Sequence, residues 1–417
     1  MSQRRRRVLI FAEAVTLAHV ARPVALARSL DPSRYDIVLA CAPRYADFAA
    51  GPGWRLLALN SIPTAQFAQA LAQGKPLYDL ATLDAYVTED LALIEQVQAD
   101  LVVGDFRLSL SVSARLARRP YLAIANAYWT PWSAAPFPLP VLPLTRALPL
   151  ALASVLFSAF RPLAFALHCR PMNQLRARHG LPGLGHDLRR VYTDADHLLV
   201  PDIESLYPLD APHALPGQFS RVGPLRWSPT LRWPVGWDLP GADRRTTVYV
   251  TLGSSGPKDA LAVVLTALDG LALRVIASSA GAPLPTHVPA NAQVAPYLPG
   301  DQAVAGAQLV VCNGGSLAAQ QALAAGVPVL GLATNMDQFL NMAPVVAAGA
   351  GLVLRTDRLS VVGVRQACQA LLQSPVAKAA ALRLQPLLSP GFTPGQVFDQ
   401  VVRRLPGFAA TETAAPG

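Results

Sequence analysis

The stretch from Leu309 to Asn341 constrains the fold more than any other part of the chain, because it combines a strand, a glycine turn, a helix and a second strand. The apolar run 309–312 is typical of a buried parallel strand. Gly314 and Gly315 then let the backbone turn sharply and approach a ligand closely. Ser316 is predicted to cap the following helix, whose first N–H groups suit a phosphate. The unit therefore predicts an anion-binding segment of a parallel α/β sheet.

Polar side chains follow the second strand of this unit, the apolar run 327–330. Asn335, Asp337, Gln338 and Asn341 are predicted to form a loop at the carboxyl end of that strand. In open α/β sheets this is the end at which ligands bind. The sequence thus predicts one ligand site that is built from the glycine turn and this polar loop.

These residues resemble the donor-binding signature of the UDP-glycosyltransferase superfamily of GT-B glycosyltransferases. Asn313 stands where the family's phosphate-contacting His usually is, and Gln321 stands where its ribose-binding Glu usually is. Both replacements keep a hydrogen-bonding side chain but remove charge or titratability, so the identity of the nucleotide stays open. The matching residues are Gly314, Gly315, Ala322, Leu323, Gly326, Val327, Pro328, Asp337, Gln338 and Asn341.

The length of the chain, 417 residues, fits two domains of about 200 residues each. Strand and helix patterns alternate in the first half, which predicts a doubly wound parallel sheet. The resemblance implies the GT-B form of the α/β class, in which two Rossmann-like, doubly wound parallel-sheet domains face a cleft. We place the acceptor domain at 1–224, a linker at 225–242, the nucleotide-sugar domain at 243–395, and a helix that crosses back, with a tail, at 396–417.

His19 and Asp105 are the predicted catalytic residues. His19 opens a helix after the first strand, and Asp105 follows the apolar run 101–104, so both lie at the carboxyl ends of strands. The residues alone also allow His19 to be a loop or cap residue and Asp105 to be a helix cap. Segment 18–30, AHVARPVALARSL, resembles the family's Gly-His-x-x-Pro-x-x-x-Leu-Ala segment, with Ala18 for Gly and one extra residue before Pro. The resemblance implies that His19 deprotonates the acceptor and that Asp105 orients it.

The nucleotide-sugar is implied to bind in the second domain. The loop 253–256, which follows strand 247–252, indicates anion binding only weakly by itself. It resembles the family's Ser-Leu-Gly-Ser segment, which contacts the phosphates. Tyr297 stands at the aromatic position that stacks on the base, where a π-face would hold a pyrimidine. Asp337 and Gln338 are implied to hold sugar hydroxyls. The complete set of implied donor-binding residues is Gly253, Ser254, Ser255, Tyr297, Leu298, Asn313, Gly314, Gly315, Ser316, Gln321, Asp337 and Gln338.

An aromatic loop after strand 121–125 is the predicted acceptor pocket. It contains Tyr128, Trp129 and Trp132, and the equivalent region helps to form the acceptor pocket in the family. Apolar and aromatic walls with few polar groups suit a lipophilic acceptor. The alternative is that these three aromatic residues are ordinary core or loop packing.

The tract 137–167 is the most apolar part of the chain. Arg146, Arg161 and repeated prolines argue against a membrane span, and the charge-free run 147–160 is too short for one. We predict a buried or interfacial helix instead. Two interpretations stay open: the tract packs against the acceptor side of the cleft, or it makes peripheral contact with a membrane, with its arginines facing lipid phosphates.

Charge and cysteine content restrict the class of protein further. The chain has 35 Lys and Arg against 26 Asp and Glu, which reflects either Arg-rich genomic composition or a basic surface for anionic lipid. No aromatic-interleaved basic motif suggests nucleic acid. The four cysteines lack the spacing of a metal site or a disulfide framework, which favours the cytoplasm. Glu13 interrupts the apolar run that follows Arg4–Arg7, so we predict a first strand and no export signal.

Together these observations predict an inverting, metal-independent glycosyltransferase with no cofactor. Its co-substrate would be a UDP- or TDP-sugar, and its acceptor a hydroxyl of a lipophilic small molecule or lipid. The rival hypothesis is a non-catalytic GT-B partner that activates another enzyme, which Asn313 and Gln321 favour and His19 and Asp105 oppose. The predicted location is cytoplasmic, and the alternative is peripheral contact with the inner face of the membrane. The sequence leaves the oligomeric state open.

Overall fold

The structure is a computed structural model, and it describes residues 4–210, 217–242, 245–254, 256, 259–406 and 408. Within these residues the chain forms two parallel sheets, each with helices on both faces. The strands of the first sheet are β1 (Arg6–Ala12), β2 (Tyr35–Cys41), β3 (Trp54–Ala58), β4 (Leu101–Asp105), β5 (Tyr121–Ile124), β6 (His197–Val200) and β7 (Phe219–Arg221). The strands of the second sheet are β8 (Thr246–Thr251), β9 (Leu273–Ser278), β10 (Ala292–Ala295), β11 (Leu309–Cys312), β12 (Val329–Ala333) and β13 (Gly351–Arg355).

Helices connect the strands in both domains. Those of the first domain are α1 (Ala18–Ser29), α2 (Ala46–Ala49), α3 (Thr64–Gln73), α4 (Leu80–Val97), α5 (Leu110–Leu116), α6 (Pro143–Ala147), α7 (Leu150–Arg178) and α8 (Leu188–Tyr192). Those that follow are α9 (Ala260–Leu268), α10 (Gly300–Ala305), α11 (Ser316–Ala324), α12 (Met336–Ala347), α13 (Val361–Leu372), α14 (Pro375–Leu384) and α15 (Pro394–Arg404).

The order of the strands places a crevice at the centre of each sheet. The first sheet runs β3-β2-β1-β4-β5-β6-β7, and the second runs β10-β9-β8-β11-β12-β13. The direction of winding reverses next to β1 and next to β8, and ligands of open α/β sheets bind outside the carboxyl ends of strands at such points. Most residues of the central strands β1, β4, β8 and β11 are buried because helices cover both faces. The two crevices therefore mark where a site is expected.

The last helix, α15, packs on the first domain. Phe398 is fully buried in the same hydrophobic cluster as β1 and α1. Gly395 lies so close to the carbonyl oxygen of Ser29 that a Cβ atom would stand 1.9 Å from it. The Tyr35 hydroxyl donates a hydrogen bond of 2.6 Å to Asp399. These contacts join the end of the chain to the domain in which the chain begins.

Two local predictions around the glycine turn were wrong. The helix α11 has Gly315 at its N-cap and no side-chain cap, so Ser316 is its first helical residue and does not cap it. The residues after β12 form no loop but the helix α12, because Asn335 and Gln338 make a capping box. In this box the Asn335 side chain accepts a 3.0 Å hydrogen bond from the N–H of Gln338, and the Gln338 side chain accepts one of 3.2 Å in return.

The apolar tract forms a longer and more exposed helix than the sequence predicts. Helix α7 continues through Pro162 and Pro171, and by length and composition alone it could cross a membrane. Only 6% of its most apolar 18-residue window is buried. Between residues 150 and 168 the one buried residue is Ala153, so of the two predicted alternatives, a buried or an interfacial helix, the buried one was wrong. Its last third is anchored, because Cys169, Met172 and Leu175 are buried in the first domain.

Candidate active site

A cavity of about 600 Å³ lies between the two domains. Its first-domain side includes His19 and Asp105, and its second-domain side includes the turn after β8 and the starts of α11 and α12. These segments follow the carboxyl ends of strands at the two crevices, which is why residues far apart in sequence meet here. Cavities of this size and position are typical of small-molecule sites.

His19 and Asp105 form a hydrogen-bonded pair at the first-domain side of the cavity. The Nδ1 atom of His19 lies 2.8 Å from Oδ1 of Asp105. Asp105 is completely buried at the end of β4, whereas 18% of the His19 side chain is exposed. Phe106 stacks on the imidazole at 4.7 Å between ring centroids, although its φ of +61° is a strained value for a bulky residue. The structure therefore brings the two predicted catalytic residues together.

Arg22, on the same helix as His19, completes this pair. Its Nε and Nη2 atoms donate 2.7 Å hydrogen bonds to the two carboxylate oxygens of Asp105. Nη2 also lies 3.0 Å from Nδ1 of His19. Burial alone lowers the pKa of Arg22, but the Asp105 carboxylate more than offsets this and the pKa is raised. Because Asp105 accepts from both residues, we assign the imidazole proton to Nδ1, which leaves Nε2 as the acceptor.

A chain of buried polar groups connects this pair to the second domain. Asn126 accepts a 2.5 Å hydrogen bond from Arg22 and donates one of 3.0 Å to Asp202. Asp202 also accepts a 2.6 Å hydrogen bond from the N–H of Ala127 and one of 2.9 Å from the side chain of Gln320, on α11. Burial raises the pKa of Asp202 despite these donors. The path from His19 to Gln320 therefore crosses the domain interface through hydrogen bonds alone.

The start of α11 forms the anion-binding part of the second domain. Gly315, Ser316 and Leu317 line the cavity, and the first N–H groups of a helix have no acceptor within it. Gly314 has a φ of +79°, and a Cβ atom there would stand 2.9 Å from Met342, so the turn requires glycine. Asn313, which also lines the cavity, accepts a 3.1 Å hydrogen bond from the N–H of Gly315. This arrangement suits a diphosphate.

The turn after β8 faces the same space. Gly253 and Ser254 line the cavity, and the Ser254 hydroxyl accepts a 3.0 Å hydrogen bond from the N–H of Leu17 in the first domain. Gly253 has a φ of +61° and packs against Asn313. Ser255, the third residue predicted here, lies outside the described residues. The two described residues are thus placed beside the start of α11, as the resemblance implied.

Aromatic and amide groups line the cavity further from the His19 pair. Tyr297, Leu298 and Gln321 all line it, and the ring of Tyr297 meets Phe48 of the first domain at 4.8 Å between centroids. The side chain of Gln321 donates a 3.4 Å hydrogen bond to the carbonyl oxygen of Trp227. Trp227 is 7% exposed, and its indole N–H has no hydrogen-bond partner among the residues that the structure describes. The predicted linker therefore contributes a wall of the cavity.

Asp337 and Gln338 lie in the first turn of α12 and line the cavity. The indole N–H of Trp129 donates a 2.8 Å hydrogen bond to Asp337 across the domain interface. The side-chain oxygen of Gln338 accepts from the N–H groups of Thr334 and Asn335, at 2.7 and 3.2 Å. Within the described residues, one carboxylate oxygen of Asp337 and the side-chain NH₂ of Gln338 remain for a ligand.

Only one of the three aromatic residues predicted for the acceptor pocket reaches the cavity. Trp129 lines it, whereas Tyr128 packs against Tyr207 and Trp132 packs against Phe219, at 5.5 and 5.3 Å between centroids. The prediction for Tyr128 and Trp132 is therefore corrected, because the tight turn after β5 directs a single side chain into the cleft. The apolar wall consists of residues from several helices: Phe67, Leu71, Leu156, Phe157, Phe160, Ala164, Phe165 and Tyr192.

Sequence reasoning missed several residues of this site. Arg22 is three positions after His19 and thus shares its helix face, a signal that was available. Asp202 lies two residues beyond the end of β6, and Asp105 lies at the end of β4, so the same rule could have found Asp202. Phe106 and Trp227 gave no such signal, because the first depends on an unusual backbone angle and the second on a segment without periodicity.

The described part of the chain has no group of three or more His, Cys, Asp or Glu side chains that could hold a metal ion. Its four cysteines are free and buried at separate places. Burial raises the pKa of the Cys312 thiol, at the end of β11, to about 12. Among the described residues, the charged and titratable side chains that line the cavity, apart from tyrosines, are His19, Arg22, Lys75, Asp105, Arg161, His168 and Asp337.

Two Rossmann-like parallel-sheet domains that face one cleft define the GT-B class of glycosyltransferases. Residues 262–403 match the family described as erythromycin biosynthesis protein CIII-like, C-terminal domain. The chain is 50% identical over 384 residues to a PGL/p-HBAD biosynthesis rhamnosyltransferase of Mycobacterium bovis, covering 92% of this chain and 84% of that protein. It is 48% identical over 389 residues to a PGL/p-HBAD biosynthesis glycosyltransferase of Mycobacterium tuberculosis, covering 93% of this chain and 90% of that protein.

A solved structure, the spinosyn rhamnosyltransferase SpnG complexed with thymidine diphosphate, has the same fold. Its TM-score is 0.66 at 21% identity, covering 95% of this chain and 99% of that one. The chain belongs to the GT-B glycosyltransferase family that includes the PGL/p-HBAD biosynthesis glycosyltransferases. It is therefore a glycosyltransferase, and the hypothesis of a non-catalytic partner is set aside.

Proposed function

We propose that the enzyme transfers a sugar, with inversion, from a TDP- or UDP-sugar to a hydroxyl of a lipophilic acceptor, without a divalent metal. The observation that carries this proposal is the position of the His19–Asp105 pair, which lines the same cavity as the start of α11, whose first N–H groups have no acceptor within the helix. A base for the acceptor and an anion site for the leaving group thus share one cavity.

His19 acts as the general base in this mechanism. Its Nε2 takes the proton of the acceptor hydroxyl, whose oxygen forms a bond to the anomeric carbon. The bond from that carbon to the diphosphate breaks, and the electron pair leaves with the diphosphate. Asp105 accepts the hydrogen bond of Nδ1 throughout and stabilises the imidazolium. One displacement from the opposite face gives inversion.

The leaving diphosphate is stabilised by the backbone of the second domain. The first N–H groups of α11 and the positive end of its dipole suit an anion, and Gly253 and Ser254 stand beside them. We propose that this backbone charge fulfils the role that a divalent cation would otherwise take. Tyr297 and Gln321 are assigned to the nucleoside, and Asp337 and Gln338 to sugar hydroxyls.

The acceptor is assigned to the apolar half of the cavity. Its wall is formed by aromatic and aliphatic side chains of α3, α7 and α8, which favour a lipophilic molecule. The printed names of the relatives support sugar transfer in PGL/p-HBAD biosynthesis, and one of them specifies rhamnose. SpnG was also solved with spinosyn aglycone. A TDP- or UDP-deoxyhexose is therefore the first donor to test.

The test measures release of nucleoside diphosphate from TDP- and UDP-sugars, with and without a lipophilic phenol or lipid acceptor. His19→Ala should lower turnover by about 10²- to 10⁴-fold, as expected for the loss of a general base. His186→Ala, at an exposed position outside the cavity, is the matched control and should retain activity. Nucleotide binding, followed by thermal stabilisation, should persist in both variants. Full turnover by the His19 variant would contradict the assigned role.

One relative, 46% identical over 265 residues, is named an inactive PGL/p-HBAD biosynthesis glycosyltransferase of Mycobacterium bovis. Substitution of Asn313 and Gln321 for the usual His and Glu removes charge from the donor site, so binding and turnover are measured separately. A protein that binds a nucleoside diphosphate but transfers no sugar from any donor tested would refute the proposed reaction.

A further inference from the structure

Helix α7 has two functional faces. One face lines the cavity through Phe157, Arg161 and Phe165. The outward face exposes Leu152, Val155, Phe160, Leu163 and Leu167, with between 48% and 66% of each residue accessible, and Phe160 lies at the edge where this face meets the cavity. At about 100° per residue these five positions fall within roughly 140° of arc. We call this set of five residues the outer stripe.

The outer stripe is bracketed by positive charge. Arg146 precedes α7, and Arg170 lies near its end; both are exposed. The segment 137–178 contains no Asp or Glu, so an apolar surface about 23 Å long, from 15 steps of about 1.5 Å, lies between two cations. An apolar helix face flanked by basic residues is typical of a helix that lies in the interface of an anionic bilayer.

The structure also distinguishes this arrangement from a membrane span. The last third of α7 is packed in the first domain through Cys169, Met172 and Leu175. A helix fixed in this way lies along the domain surface. A second copy of the chain, docked through the same tract, would bring no acidic residue to Arg146 or Arg170, whereas anionic headgroups would supply the missing charge.

The outer stripe is continuous with the acceptor half of the cavity. Phe160 is 62% exposed and also lines the cavity, and Lys75 stands exposed at its rim. We infer that the outer stripe rests on the surface of an anionic lipid bilayer, from which a lipid acceptor passes along Phe160 to His19. The delivery of the acceptor rests on the proposed function, whereas the bilayer contact does not.

The experiment compares two double variants that carry the same change in charge. Val155→Glu with Leu163→Glu alters the outer stripe at positions outside the cavity lining, and Val362→Glu with Val376→Glu is the matched control in the second domain, where both residues are similarly exposed. Binding is measured by flotation with phosphatidylcholine vesicles, with and without phosphatidylglycerol, at low and high salt. Circular dichroism and thermal stabilisation by thymidine diphosphate confirm that each variant is folded.

Wild type and control should float with the anionic vesicles, and less of each should float at high salt. The affinity of the outer-stripe variant for these vesicles should be lower by at least roughly tenfold. Equal flotation of the two variants, or no flotation of wild type, would overturn the inference. A wild-type dimer that becomes monomeric only in the outer-stripe variant, by analytical ultracentrifugation, would also overturn it in favour of a contact between copies. Vesicle binding without sugar transfer by wild type would refute the proposed function alone.

Discussion

Replacing Arg22 by Met tests whether the buried ion pair beside the catalytic residue holds the site together. Arg22 is 7% exposed and donates two 2.7 Å hydrogen bonds to Asp105, which is fully buried. Met keeps the length of the side chain but leaves the Asp105 charge without its cation. Breaking a buried pair in this way costs about 3–5 kcal/mol. The loss should be seen in the free energy of unfolding, from urea titrations analysed with a common m value.

The matched control is Arg4→Met. Arg4 also donates two hydrogen bonds to one carboxylate, at 2.7 and 2.9 Å from Asp100, but its side chain is 65% exposed. An exposed pair contributes about 0–1 kcal/mol. The two pairs share the same chemistry and differ mainly in burial, although Arg22 donates from Nε and Nη2 and Arg4 from Nη2 alone. The variant that combines Arg22→Met with Asp105→Asn removes the orphan charge and should be more stable than Arg22→Met alone. Similar losses for Arg22→Met and Arg4→Met, or no recovery in the double variant, would refute the reasoning.

Two further predictions concern stability away from the catalytic pair. Burial lowers the pKa of His197 below the ordinary value of about 6.5, so the unfolded chain takes up the proton first and the stability contributed by His197 is lost as pH falls through this range. His197→Gln should flatten the decline in stability from pH 7 to 5, as followed by urea titration, whereas exposed His287→Gln should leave it unchanged. Gly314→Ala should cost about 1–3 kcal/mol more than Gly53→Ala, because both have positive φ but only Gly314 has a close neighbour, Met342. Equal thermal unfolding of these two variants would contradict the steric argument.

The parallel sheets and the site at their carboxyl ends could be predicted because buried strands and glycine turns have strong local signals. The strand before Asp105 and the turn at Gly314 are examples, and the resemblance then assigned roles to His19 and Asp105. One local signal was misread. Asn335 and Gln338 read as a polar loop, but their reciprocal hydrogen bonds start a helix.

The apolar tract shows a different limit of sequence reasoning. Composition indicated a helix near residues 147–160, yet it could not show which residues the rest of the fold would cover. The repeated prolines argued against a membrane span, yet α7 continues through Pro162 and Pro171. Sequence could not distinguish Trp129 from Tyr128 and Trp132, because all three are aromatic residues of one loop. Only the geometry of the turn shows that Trp129 alone of the three lines the cavity.

The hydrogen-bonded path through Asp202 bears on whether the two domains are interchangeable modules. A chimera that joins this first domain to the second domain of another GT-B enzyme would place a foreign side chain opposite Asp202. Unless that side chain is an amide or another donor at position 320, the carboxylate loses the hydrogen bond that Gln320 now supplies and leaves a buried acceptor partly unsatisfied. If the donor domain is exchanged to change the sugar, the residue at position 320 of the new domain must therefore donate a hydrogen bond to Asp202 of the acceptor domain.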